Sequence, residues 1–209
     1  MTYPFELTPE PTHRTRHRVL VLYAHPVPTS FQASVHRRVV ETLRDIGHEV
    51  DDCDLYAEGF PAVLSRQERC DYHDIGRNRR NVDDYVSRLV AADALVLVFP
   101  VWIYGVPAIM KGFFDRVFVP GVMFDLVDGK VQMKLHNIRK VTGVATYGGS
   151  RLRATLAGDP PRKTVKRVIR AMVHPSAPVS YLAQYAMDRT SFIERERFIA
   201  RVQYHMERF

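Results

Sequence analysis

Ala94-Leu-Val-Leu-Val-Phe-Pro-Val-Trp-Ile-Tyr-Gly-Val-Pro-Ala-Ile-Met-Lys-Gly-Phe-Phe-Asp-Arg-Val-Phe118 is the stretch that decides the fold. Its first six residues are apolar without alternation and rich in β-branched side chains, as a strand buried on both faces must be. Pro107 stands where a first helical residue would, and Ile109, Met110, Phe113, Phe114 and Val117 then recur at helical spacing. A buried strand running through an aromatic loop into an amphipathic helix is half of a parallel β-α-β unit.

The same alternation extends both ways. Upstream, Val82, Tyr85, Val86, Leu89 and Val90 predict a helix with Asp83 and Asp84 in its first turn. Before it, Arg18–Ala24 reads as a buried strand, and Thr29 or Ser30 can cap a helix with its face at Phe31, Val35, Val39, Leu43 and Ile46, stopped by Gly47. Glu49–Leu55 is a second strand, and residues 56–81 show neither period and read as a long excursion. Downstream, an insertion around 118–139 leads to a strand at Lys140–Thr146 ending at Tyr147-Gly-Gly149. Val165, Val168, Ile169, Met172 and Val173 predict a further helix, and Val179–Leu182 a fifth strand. Ser191 with Glu194 forms a capping box for a last helix, with Ile199, Val202, Met206 and Phe209 along one side. Five such strands predict an α/β fold: a flavodoxin-like doubly wound parallel sheet, order 2-1-3-4-5, with helices on both faces. Ligands bind such sheets at the carboxyl ends of the strands, beside the switch between strands 1 and 3.

Composition bounds the rest. The chain has 209 residues, 46% of them hydrophobic and 25% charged, which excludes a mostly disordered chain. The apolar runs Val19–Ala24 and Ala94–Ile103 are far short of the ~20 residues a bilayer span needs, so no membrane insertion is expected. Cys53 and Cys70 form no metal spacing, no metal is expected, and so few cysteines suggest a cytoplasmic setting. Thirty Lys+Arg against 23 Asp+Glu give a net charge of +7, which suits anionic partners. Residues 1–17 read as an irregular basic N-terminal arm before a single domain spanning 18–209; nucleic-acid binding rests on that arm and the charge alone and is not expected.

Three segments stand at the predicted ligand edge. After the first strand, His25-Pro-Val-Pro-Thr-Ser-Phe-Gln32 lacks the GxGxxG turn of dinucleotide-binding domains but offers hydroxyls and free N–H groups at a helix start, an anion site. After the third strand, Pro100, Val101, Trp102, Ile103, Tyr104 and Gly105 suit a flat aromatic ligand held by stacking and main-chain hydrogen bonds. After the fourth, Thr146, Tyr147, Gly148 and Gly149 let backbone approach a ligand closely.

Together these segments resemble the flavodoxin-like NAD(P)H:quinone oxidoreductase family, in its DT-diaphorase-like, short bacterial branch. The resemblance spans roughly residues 18–185. It rests on Phe99-Pro…Gly-Val-Pro-Ala-Ile-Met-Lys-Gly…Asp-Arg-Val-Phe118, on Tyr23-Ala-His-Pro with Thr29-Ser-Phe31, on Asp54-Leu-Tyr56 and on Thr146-Tyr-Gly-Gly149. It implies a bound flavin, FAD somewhat favoured over FMN, with NAD(P)H as co-substrate. His25, Ser30, Phe31 and Gln32 would hold the flavin phosphate region, and 100–105 would line the ring. Thr146–Gly149 would donate N–H groups to its pyrimidine end, stabilising charge that develops there. Members commonly have Asn at the position of Gln32 and a second Trp at that of Ile103. The Tyr/His pair that some carry beyond the Gly-Gly is replaced here by Ser150-Arg-Leu-Arg-Ala-Thr155, so no catalytic acid or base is assigned. The implied activity is that of an NAD(P)H dehydrogenase (quinone): two electrons pass from NAD(P)H through flavin to a small aromatic, quinone-like acceptor by a ping-pong mechanism, in a homodimer. The alternative is an ancillary flavoprotein that regulates a partner such as a transporter. A one-electron carrier fits less well, given the basic charge and the bulky loop at 99–105.

Overall fold

The computed structural model describes residues 16–209. Most of the expected basic arm, residues 1–15, therefore lies outside the described residues; its last two, Arg16 and His17, run straight into the first strand, and the His17 N–H donates to His48 Nδ1 at 3.1 Å.

Strands β1 (Arg18–Tyr23), β2 (Glu49–Asp54), β3 (Ala94–Val101), β6 (Lys140–Tyr147) and β7 (Val179–Gln184) form one sheet in the order β2-β1-β3-β6-β7. Every pairing in it is parallel, so counting only these five strands the order is 2-1-3-4-5, as expected. The two faces carry separate cores, because side chains alternate across a strand. Leu20, Leu22, Leu95, Leu97 and Phe99 point to one face, under α3 (Asp83–Ala91) and α4 (Ala108–Val117). Val19, Val21, Tyr23, Val96 and Val98 point to the other, under α1 (Phe31–Asp45) and α8 (Phe192–Met206). With every residue of β3 buried, the absence of polar alternation in its sequence follows directly.

The insertion between α4 and β6 contains an antiparallel hairpin of β4 (Phe124–Val127) and β5 (Lys130–Met133), which pairs outside the main sheet. The excursion at 56–81 contains one short helix, α2 (Arg66–Cys70), closed by a Ser65/Glu68 capping box, and is otherwise turns. Its lack of period is explained by what pins it down, which is polar. Arg116 of α4, only 4% exposed, donates from Nε to Glu68 at 2.9 Å and from a terminal nitrogen to the Pro61 carbonyl. Buried Asn78 donates to the Tyr72 and Pro120 carbonyls at 3.0 and 2.9 Å. Gly112 lets the excursion lie against α4: a Cβ there would fall 2.1 Å from the Ala62 carbonyl oxygen.

Of the two caps offered for α1, Ser30 serves, its Oγ accepting the Ala33 N–H at 3.1 Å. Three local expectations shift, the first being that Pro107 is the N-cap of α4 rather than its first residue. After β6 come α5 (Arg151–Leu156) and α6 (Pro160–Lys163), then Thr164–Ile169 wound as a π-helix, then α7 (Arg170–Met172). The wider π turn buries Val165 and Ile169 but leaves Val168 49% exposed, where α-helical spacing predicts an apolar contact. On α8 the buried row is Phe198, Val202 and Met206, with Ile199 only half-buried.

Candidate functional site

The carboxyl ends of β1, β3 and β6 bring the three predicted segments to one edge of the sheet. The β1 register sets Tyr23 beside Val98, and the β3 register sets Pro100 beside Thr146 and Val101 beside Tyr147. The His25 ring then lies 5.8 Å from that of Trp102, centroid to centroid. Tyr104 packs close to Gly149: a Cβ on Gly149 would sit 3.1 Å from the Tyr104 hydroxyl.

The loop at 102–105 is a two-residue turn. Trp102 and Gly105 exchange both backbone hydrogen bonds, at 2.9 and 3.2 Å, while Ile103 and Tyr104 have φ of +48° and +54°. Positive φ at both central positions belongs to a type I′ turn, which favours Asn and Gly; a β-branched residue there is strained. Ile103 is fully exposed and Trp102 is 42% exposed, so the turn holds two apolar side chains in solvent at a strained bend. Strain of this kind persists only where the surrounding structure holds it, and it clusters at ligand-binding segments of proteins.

At the start of α1 the Phe31 and Gln32 N–H groups have no intrahelical acceptor, a property of every helix N-terminus. The Val27 N–H donates to His25 Nδ1 at 3.0 Å, so the neutral ring carries its proton on Nε2, and burial lowers the pKa of His25, which favours that neutral form. Gln32 is 2% exposed and its side chain is already engaged: Oε1 accepts from Thr146 Oγ1 at 2.7 Å and Nε2 donates to the Val144 carbonyl at 3.4 Å. It ties α1 to the end of β6 and leaves only its backbone for a ligand. The Tyr147 side chain likewise points away from the crevice, its hydroxyl donating to Asp159 at 2.6 Å and lying 2.7 Å from that of Tyr181. Burial, then Tyr181 and Asp159, push this phenol far above its ordinary range, so it stays neutral. Among the described residues the Gly148 and Gly149 N–H groups meet no backbone acceptor.

Arg195, which the sequence reading passed over, also reaches the start of α1. It lies on the first turns of α8, its guanidinium 5.9 Å from the Phe31 ring centroid, and its buried Nε has no hydrogen-bond partner. Only the packing of α8 on α1 brings it there, so no local motif could have announced it. Among the described residues no cluster of His, Cys, Asp or Glu could hold a metal ion, and no helix is long and apolar enough to cross a membrane.

A doubly wound parallel sheet with a glycine-free anion turn, an aromatic hairpin and a Gly-Gly turn around one crevice defines an open α/β protein that receives its ligand at the switch point. The family model for the flavodoxin-like fold matches residues 17–175, and the chain belongs to that family. Among curated relatives it is 31% identical over 157 residues to NAD(P)H dehydrogenase [quinone] 1 of Rattus norvegicus, covering 68% of this chain and 57% of the relative. It is 33% identical over 141 residues to the uncharacterized NAD(P)H oxidoreductase YcaK of Escherichia coli, covering 64% of this chain and 66% of that one. The chain thus spans about three-fifths of the length of these relatives. Among solved structures, Smu.1420 from Streptococcus mutans superposes with a TM-score of 0.78 at 27% identity, covering 92% of this chain and 100% of that one.

Proposed function

We propose that the chain is a flavin-dependent NAD(P)H oxidoreductase that passes two electrons from NAD(P)H to a quinone-like acceptor, the two substrates using one pocket in turn. The observation that carries this reading is the convergence of three segments at one edge of the sheet. A strained aromatic hairpin, a helix N-terminus and a Gly-Gly turn meet there, with Tyr104 packed close to Gly149. Bound flavin would supply the hydride chemistry.

The residues fit that group. Ser30, Phe31 and the Gln32 backbone present the N-terminus of α1 to the flavin phosphate region, His25 offers its Nε2–H, and the unpartnered Arg195 Nε adds a positive charge there. Pro100 to Gly105 line the ring, with Trp102 as its exposed aromatic wall. Thr146 is held by Gln32, which fixes the end of β6, and the Gly148 and Gly149 N–H groups face the pyrimidine edge as preorganised donors. FAD is favoured over FMN: His25 shares a hollow of about 590 Å3 with Tyr56 and Ala57, the first residues of the excursion at 56–81, and an adenosine would lie there.

A homodimer in the cytoplasm completes the reading. Phe114, Phe118, Met123, Val168 and Met172 surround an apolar hollow of about 800 Å3 beside Gly105 and Val106, a surface suited to a second copy. Sedimentation as a dimer at micromolar concentration is expected; a monomer there would refute this part.

The deciding experiment is the visible spectrum of the purified protein before and after NADPH is added without oxygen, followed by chromatography of the released flavin. A yellow protein that bleaches is expected. Yellow without bleaching would favour a regulatory flavoprotein, and a colourless protein that takes up neither FAD nor FMN would overturn the proposal.

A further inference from the structure

Between α5, α6 and the π-wound segment lies a further concavity of about 460 Å3. Arg151, Arg162, Lys163, Lys166 and Arg167 line it, with Asp159 as its single carboxylate. Asp159 is already committed, accepting from the Tyr147 hydroxyl at 2.6 Å and pairing with Arg162 at 3.0 Å. Among the described residues no carboxylate pairs with Arg151, Lys163, Lys166 or Arg167.

This cluster is built, not scattered. Arg162 is fixed by Asp159, by the Tyr185 hydroxyl at 3.0 Å and by the Tyr181 ring, whose centroid is 4.8 Å from its guanidinium. Lys166 donates to the Val179 carbonyl and keeps two N–H donors for a ligand. The Lys163 ammonium lies 3.4 Å from where a Cβ on Gly158 would be, so the tight turn at Gly158 leaves it room. Lys166 and Arg167 ride on the π-wound segment, and such segments occur mostly at functional sites. The concavity also adjoins the proposed flavin crevice. Arg151 is the second residue after Gly149, and Tyr185 precedes Ala186, whose N–H donates to the Gly149 carbonyl at 2.9 Å.

We propose that this concavity binds the pyrophosphate and 2′-phosphate of NADPH, so that the protein selects NADPH over NADH. The proposal rests on the reductase reading for its physiological meaning, not for its chemistry. Five cations less one carboxylate leave a net four positive charges in a cleft that focuses their field. A dinucleotide pyrophosphate carries about two negative charges and a phosphate monoester about 1.5 to 2 more. NADPH therefore neutralises the cleft, whereas NADH leaves about half of its charge unmatched. Arg151, next to the Gly-Gly turn, suits the pyrophosphate; Lys163, Lys166 and Arg167 suit the 2′-phosphate.

The test uses the flavin-loaded protein and the double variant Lys166→Gln/Arg167→Gln, with its thermal midpoint checked against the wild type. Wild-type kcat/KM for NADPH should exceed that for NADH by at least about tenfold. The variant should erase the preference by raising KM for NADPH at least about tenfold, with KM for NADH raised far less. A calorimetric titration supplies a readout independent of turnover. 2′,5′-ADP should bind the wild type, 5′-AMP and inorganic phosphate at least about tenfold more weakly, and the variant should lose the difference. Equal affinity for 2′,5′-ADP and 5′-AMP, or a variant that behaves as the wild type, overturns the proposal. Inorganic phosphate binding as tightly as 2′,5′-ADP overturns it too, in favour of a plain anion site. If neither dinucleotide is oxidised, the reductase reading falls, and the titration still decides the cleft.

Discussion

Ile103 is where this chain departs most plainly from local preference. An L-residue in the left-handed region costs about 1 to 2 kcal/mol, and a β-branched one is a clear outlier. Ile103→Asn should therefore raise stability by about 1 kcal/mol, visible as a thermal midpoint about 2 to 4 °C higher, since Asn tolerates that conformation. If the crevice holds flavin as proposed, Gly149→Val should abolish flavin retention, read as the ratio of visible to ultraviolet absorbance, while the fold survives. The closeness of Tyr104 to position 149 is the reason. The sequence disclosed that residues 100–105 and 146–149 matter, because buried strands end there. It did not disclose that the Gln32 and Tyr147 side chains are spent on structure, because their partners Thr146 and Asp159 are fixed by tertiary packing. Cys53, pushed up to about 12 mainly by burial, is an inert core thiol.

At the scale of elements, the excursion at 56–81 is held to α4 by two devices that no periodicity reveals. Burial raises the pKa of Glu68, but its hydrogen bonds from Arg116 and Ser65 outweigh this and hold the carboxyl below its ordinary 4.5. A depressed carboxyl contributes stability that is present above 4.5 and is lost as pH falls through the folded value. Glu68→Gln, which leaves Arg116 buried without its partner, should cost about 3 kcal/mol at pH 7 in urea unfolding, and that difference should shrink as pH falls below 4.5. Gly112→Ala should cost about 2 kcal/mol, since the added methyl meets the Ala62 backbone, and should loosen the excursion to proteolysis at Arg66 or Arg69. An unchanged cleavage pattern would show that the contact is slack. The central strands were legible because burial on both faces leaves an unbroken apolar run, and the long helices because burial of one face imposes a period of 3.6. The π-wound segment was not, because its apolar residues have a spacing that equally suits an α-helix and carries no mark of the wider turn.

For the whole molecule, the net charge of +7 gives a prediction about rates. If NADPH is steered electrostatically, the second-order rate constant for its oxidation at limiting concentration should fall several-fold between low and physiological salt. A rate indifferent to salt would remove steering from the account. Charge, hydropathy and strand order are global properties that the sequence carries openly. By itself it determined five strands, their parallel order and the edge at which a ligand would sit, because a strand covered on both faces, as β1, β3 and β6 are, cannot hide its apolar run, whereas the edge strands β2 and β7 are only partly buried. Only the tertiary structure decided that Arg195 reaches Phe31 at the start of α1, that Asp159 is spent on Tyr147 and Arg162, and that five cations from α5, α6 and the π turn share one concavity. These pairings join residues distant along the chain or turned by an irregular helix. Their energies depend on where the backbone brings charges together, which no residue's neighbours in sequence record.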